Sequence, residues 1–209
     1  MKEKFSRIAE AASGVIDLIF AGLLWLLCSL PVVTIGASTT ALYYTVMKCV
    51  RHNRGRVAPT FFHGFRSNFR TATLIWLLFL LWIAVGAADA YAFGRMGYGP
   101  GTVLHSLSRL FFVPPLLYFP WVFAYISRFE NSVKGTLKFT GWLMLRYFGR
   151  SVLLALELAG FLLIGWLMPA LIPLLPGAAC LLMSLTIEPV FRPYHPETGN
   201  PSVDEWYNE

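Results

Sequence analysis

Charge is what this chain lacks. Asp, Glu, Lys, Arg and His are absent from Leu18–Met47, Thr71–Ala88, Leu110–Ser127 and Leu158–Ile187, and these four runs hold 96 of the 209 residues. Charged residues make up 13% of the sequence, against roughly 25% in a soluble domain. The hydrophobic share is 56% and the mean hydropathy +0.59. Such runs exclude a water-soluble fold of this size. A bilayer core takes roughly 20 apolar residues per helical crossing and requires each spanning segment to bond its own peptide groups. The fold class this predicts is all-α: a polytopic helical membrane protein, one membrane domain over 1–191 and a flexible polar C-terminal tail over 192–209.

Other scarcities narrow the chemistry. Three cysteines, Cys28, Cys49 and Cys180, lie far apart with no Cys-x-x-Cys pair, which argues against a disulfide framework or a zinc site. His52, His63, His105 and His195 have no partner four residues away, so no metal centre is expected. The glycine-rich stretch Gly94–Gly101 is followed by no Gly-Lys-Ser/Thr, and no Gly-x-Ser-x-Gly elbow occurs. No catalytic residue, cofactor or metal is expected, and the chain reads as a non-enzyme. Acidic residues number 11 against 17 basic ones, a net charge of +6. The basic residues flank apolar runs, so anionic lipid headgroups at the cytoplasmic face, rather than nucleic acid, are the expected partner.

The apolar runs must then be divided into crossings. Leu18–Met47, at 30 residues, is too long for one span and short for two. Pro31 predicts a break near Ser29–Leu30 in a helix that starts at about Gly14. The small, hydroxylated stretch around Gly36 then re-enters or crosses as a short helix to Lys48. Leu158–Ile187 divides into Ser151–Met168 and Ala178–Phe191 around Pro169, Pro173, Pro176 and Gly177. Between these pairs lie Thr71–Phe93 and Thr102–Ser127, in which Pro114, Pro115 and Pro120 bend the helix or start it late. The apolar run after Lys2, Lys4 and Arg7 exceeds the h-region of a signal peptide, so an uncleaved first span is expected.

Basic residues set the orientation. Lys48, Arg51, Arg54, Arg56, Arg66 and Arg70 share one connection with no acid, and Arg128, Lys134, Lys138, Arg146 and Arg150 another with only Glu130. Both are expected in the cytoplasm. Five or six crossings fit. Six, as three hairpins, also bring the basic N-terminus and the C-terminus inside a cell membrane, and six are favoured.

Both connections carry amphipathic patterns. Phe62, Phe65 and Phe69 fall on one face beside Arg66 and Arg70, with Thr60 as N-cap, which predicts an interfacial helix lying among the headgroups before the chain turns into the membrane. Lys134, Lys138, Trp142, Arg146 and Arg150 recur every four residues, against a second stripe of Phe129, Val133, Leu137 and Met144. That spacing predicts another interfacial helix, which serves topology and lipid contact or docks a partner protein. Glu157 lies seven residues into Ser151–Met168, where an ionised carboxylate is costly. It either binds protons or substrate on a translocation path, or pairs structurally with a cation such as Arg109, or reaches the interface. Asp17, Asp89 and Glu188 lie near span ends and read as interfacial.

One stretch is more specific than the rest. Leu30-Pro31-Val32-Val33-Thr34-Ile35-Gly36-Ala37-Ser38-Thr39-Thr40-Ala41-Leu42-Tyr43-Tyr44 resembles the YesL-like family of small bacterial membrane proteins. Trp25 and Leu26, Phe61-Phe62 with Phe65-Arg66-x-Asn68-Phe69, and Arg128-Phe129-Glu130-Asn131 follow the same order. The family is a domain of unknown function whose members often accompany sugar-import and polysaccharide-degradation systems. The resemblance implies an accessory or regulatory role in carbohydrate uptake, with a sugar-transporter subunit or membrane sensor as partner, and it supplies no catalytic residues. A small carrier or permease with Glu157 in its path is the alternative.

Overall fold

The computed structural model describes residues 2–95 and 110–194, without the side chains of 2–12 and of Phe93 and Gly94. Seven α-helices run through them: α1 (Lys2–Ser29), α2 (Ile35–Thr45), α3 (Val57–Arg95), α4 (Val113–Ile126), α5 (Val133–Arg146), α6 (Phe148–Leu167) and α7 (Leu175–Phe191). No strand occurs among the described residues. The all-α expectation holds. Expectations that fall on 96–109 and 195–209, the Gly97 turn, Arg109 and most of the tail among them, lie outside the described residues.

Proline places several ends where the sequence predicts. α1 stops at Ser29, two residues before Pro31, and a single 3-10 turn, Val32–Thr34, leads into α2. α4 starts late, with Pro114 and Pro115 in its first turn, where an absent N–H costs nothing, and it carries Pro120 within. Three starts differ from expectation: α1 begins at Lys2 rather than at about Gly14. α6 begins three residues earlier, at Phe148, and α7 at Leu175, because Pro176 is accepted in the first turn rather than ending the turn region.

α2 is the strut of the molecule. It has 11 residues, of which Gly36, Ala37, Ser38, Thr40, Ala41, Leu42, Tyr43 and Thr45 are buried, and it touches α1, α3, α4 and α7. A helix so rich in Thr can be dry because its hydroxyls return to its own backbone. Thr39, Thr40 and Thr45 donate to the carbonyls of Ile35, Gly36 and Ala41 at 2.8, 3.1 and 2.7 Å. Its neighbours come close because side chains are missing. A Cβ on Gly36 would stand 2.6 Å from Trp76 Cβ and 2.7 Å from the Ala72 carbonyl oxygen, which fixes the α2–α3 crossing. On the far side of α1, Gly22 meets the Pro173 carbonyl in the same way.

Two apolar clusters surround α2. One gathers Leu42 and Met47 with Phe61, Trp121, Leu154 and Phe191; the other sets Ala37 against Ala72, Ile75, Trp76, Phe79 and Phe123. Trp indoles pin the turns: Trp25 donates to Thr39 Oγ1, Trp76 to the Val32 carbonyl and Trp82 to the Phe111 carbonyl, at 3.1, 2.6 and 3.0 Å.

The outer faces are apolar as well. Three helices are long and apolar enough to cross a membrane: Val57–Ala92, Phe148–Leu167 and Leu175–Tyr194. Only 28%, 17% and 50% of their most apolar windows are buried inside the protein. Leu156 on α6 is 65% exposed and Trp166 83%. Surfaces of this extent demand an apolar surrounding. Ser13–Ser29 and Val113–Ile126 are shorter apolar helices.

The first connection departs from expectation. No interfacial helix turns into a separate span; α3 runs unbroken for 39 residues, about 58 Å, so Arg66 and Arg70 ride on the same rod as Leu74–Leu81. Thr60 is not an N-cap, since α3 starts three residues before it and the Thr60 amide donates to the Arg56 carbonyl at 3.2 Å. Nor is the ring stripe Phe62, Phe65, Phe69. Phe61 and Phe65 stack with centroids 6.3 Å apart and Phe69 is tilted against Phe65 at 5.4 Å, while Phe62 and Phe69 are 43% and 38% exposed. Phe61 is wholly buried and Phe65 half-buried, so the inward face runs through these two rings rather than through Phe62.

Candidate functional site

Three polar assemblies stand out against this apolar background. The first is buried. α2 runs on as a π-helical segment, Val46–Arg51, whose wider turn carries Arg51 toward α7, where its Nη1 donates to Ser184 Oγ at 2.9 Å. Beside it, Glu188 of α7 forms an ion pair with Arg128, which follows α4, while Tyr43 of α2 donates to the other carboxylate oxygen at 3.2 Å. The Arg128 and Glu188 side chains are 6% and 9% exposed. Arg128 is thus buried against Glu188 rather than exposed with the other basic residues. Each charge compensates the other in a place where either alone would be costly. Trp121 of α4 adds a second tie, donating to Ser151 Oγ at 2.9 Å.

The second assembly is a polar cleft of about 280 Å³ between α3 and the α4–α5 loop, lined by Ser67, Asn68, Thr71, Phe129, Glu130 and Asn131. It brings the two basic connections together. Asn68 donates to the Gly64 carbonyl at 3.2 Å and Asn131 to the Tyr125 hydroxyl at 3.2 Å, so local bonds hold both amides. Arg66, Arg70 and Glu130 are exposed and make no ion pair among the described residues.

The third is the corner between α5 and α6. Ser132 caps α5 by accepting the Gly135 amide at 3.2 Å, and Tyr118 of α4 holds the helix in place, donating to the Leu137 carbonyl at 2.6 Å and accepting from Thr140 at 2.7 Å. Lys134, Lys138, Trp142 and Arg146 then lie exposed, with Val133 and Leu137 turned toward the protein. The helix breaks at Tyr147 (φ −111°, ψ 43°), which assigns Arg150 to the first turn of α6. Arg146 lies 4.9 Å from the Trp142 ring centre and 5.9 Å from that of Tyr147, and Arg150 lies 5.7 Å from Tyr147. The Tyr147 and Tyr194 hydroxyls are 3.4 Å apart. The phenol of Tyr147 is lowered below its ordinary pKa, first by that hydrogen bond and further by Arg146 and Arg150.

Glu157 sits on α6 against α7, where Thr186 is its hydrogen-bond partner, and its Oε2 is buried with none. Among the described residues no three His, Cys, Asp or Glu side chains gather as metal ligands.

The Tyr43–Glu188–Arg128 assembly was not anticipated. Its signal was a lone acid near the end of one apolar run and a lone cation at the end of another, in a sequence almost empty of charge.

The class these features define is an all-α protein with three helices of membrane-crossing length and apolarity. A family described as "Protein of unknown function, DUF624" matches residues 18–90, which take in α2 whole and most of α1 and α3. No curated protein and no solved structure matches.

Proposed function

We propose that the chain is a multi-pass protein of the bacterial cell membrane, of the YesL-like kind, that assists or regulates a carbohydrate-uptake system without catalysing a reaction itself. The observation that carries this reading is the pairing of apolar outer faces with exposed basic side chains that have no acidic partner. Arg66, Arg70, Lys134, Lys138, Arg146 and Arg150 are all of this kind among the described residues. Such side chains suit the cytoplasmic surface, where they meet anionic headgroups and a transporter subunit or membrane sensor. Six crossings as three hairpins with both termini inside belong to this reading, and the contact between α1 and α2 on either side of Pro31 favours it. The match to a family of unknown function over residues 18–90 agrees with the YesL-like resemblance carried by Leu30–Tyr44. Crosslinking in native membranes followed by co-purification tests the role: a transporter or sensor subunit recovered with the wild type, and lost from an Arg66→Gln/Arg70→Gln variant, is the expected result. Recovery of no such subunit removes it. A reporter fused to the N-terminus tests the orientation.

A second reading has its own observation. The unpartnered, buried Glu157 Oε2 at the α6–α7 contact suits a protonatable group on a carrier's path. Uptake into reconstituted vesicles that survives Glu157→Gln unchanged would count against it.

A further inference from the structure

Two guanidinium groups at the α5–α6 corner share one ring. Arg146 and Arg150 approach Tyr147 from the two sides of the helix break, at 5.9 and 5.7 Å, and neither makes an ion pair among the described residues. Two cations gathered around one ring, with no acid among the described residues paired to either, favour a counter-charge. They are also oriented in advance. Arg146 also lies over the Trp142 ring at 4.9 Å, and Tyr194, 5.8 Å from Trp142, closes the group with a second hydroxyl beside that of Tyr147. Planar donors held at fixed positions suit the oxygens of a phosphate.

We infer that this corner seats the phosphate of an anionic phospholipid between Arg146 and Arg150. The inference rests on the membrane reading above and adds a defined lipid site to it. Two observations select lipid over a soluble phosphate. The corner is the start of α6, one of the three helices of membrane-crossing length, which sets it at headgroup depth. Leu145 and Phe148, beside the arginines in sequence, are 69% and 56% exposed and suit acyl chain rather than water. A rival anion lies within the chain, since residues 195–209 carry Glu197, Asp204, Glu205 and Glu209 and begin next to Tyr194. That segment offers carboxylates but no aliphatic run to cover Leu145 and Phe148.

The test uses the full chain in lipid nanodiscs of phosphatidylcholine with added phosphatidylglycerol, with retained phosphatidylglycerol counted by native mass spectrometry. Arg146→Gln/Arg150→Gln is expected to weaken retention about thirtyfold, and the charge-matched control Lys134→Gln/Lys138→Gln much less. Equal losses in the two variants would mean diffuse charge and overturn the site. So would full displacement of the lipid by inorganic phosphate, or retention that appears only after Glu197, Asp204, Glu205 and Glu209 are neutralised. A chain that inserts in membranes yet retains no phosphatidylglycerol defeats the site and leaves the membrane reading standing; a chain recovered without detergent defeats the membrane reading first.

Discussion

Between residues 18 and 90 the helices meet at backbone distance, whereas between 113 and 194 rings fill the space and a few polar ties join it. In the first region Gly36 lies against Ala72 and Trp76, and Gly64 against Ala41 and Tyr44. In the second, Tyr125 stacks on Phe129 at 4.7 Å, Phe191 sets its edge against Tyr125 and Phe129, and Trp121 reaches Ser151. Small residues specify one geometry, because a backbone contact has no side chain to rearrange. Rings fill volume and tolerate adjustment, so the second region needs polar points to fix its register. The buried ion pair is the strongest of these, and it binds the two regions to each other through Tyr43.

The comparison can be broken at four places, each read by thermal unfolding in detergent. The largest effect is expected at the ion pair. Arg128→Met alone should cost about 3–5 kcal/mol by leaving Glu188 buried and uncompensated, while Arg128→Met with Glu188→Met should recover most of the loss. A double variant as unstable as the single one would deny the pair its role. Next comes the close crossing: Gly36→Ala should destabilise by about 1–3 kcal/mol through overpacking. Gly160→Ala, on α6 with open space around it, should be neutral or stabilise by up to about 1 kcal/mol. Matching effects at the two glycines would erase the distinction between the regions. Tyr43→Phe should then cost about 1.5 kcal/mol, one hydrogen bond to a charged carboxylate. Smallest of all, Lys138→Gln should stay within about 0.5 kcal/mol, as expected of an exposed side chain with no ion-pair partner among the described residues.

How much of this was legible follows from which forces act locally. The helical class, the break before Pro31, the turn at Pro169–Pro173 and the late start at Pro114 were readable, because an absent charge or an absent N–H acts on its own segment. The exposed places of Lys134, Lys138 and Arg146 followed from their four-residue spacing. The separate interfacial helix at 60–70 did not form, since nothing in that stretch breaks a helix and Phe61 draws the inner face one residue over from the expected one. The burial of Arg128 could not be read from its own connection, where it resembles its basic neighbours. Only the position of Glu188, 60 residues away, decides it.

The threonines of α2 carry one more implication. Their hydroxyls are committed to carbonyls of the same helix, so the most polar stretch of the apolar half presents almost no donor to a passing solute. A conduit for sugars or ions would need a row of available oxygens and N–H groups, whereas the three threonine hydroxyls of this strut are held by its own backbone, and among the described residues of α2 the buried Ser38 hydroxyl is left without a partner.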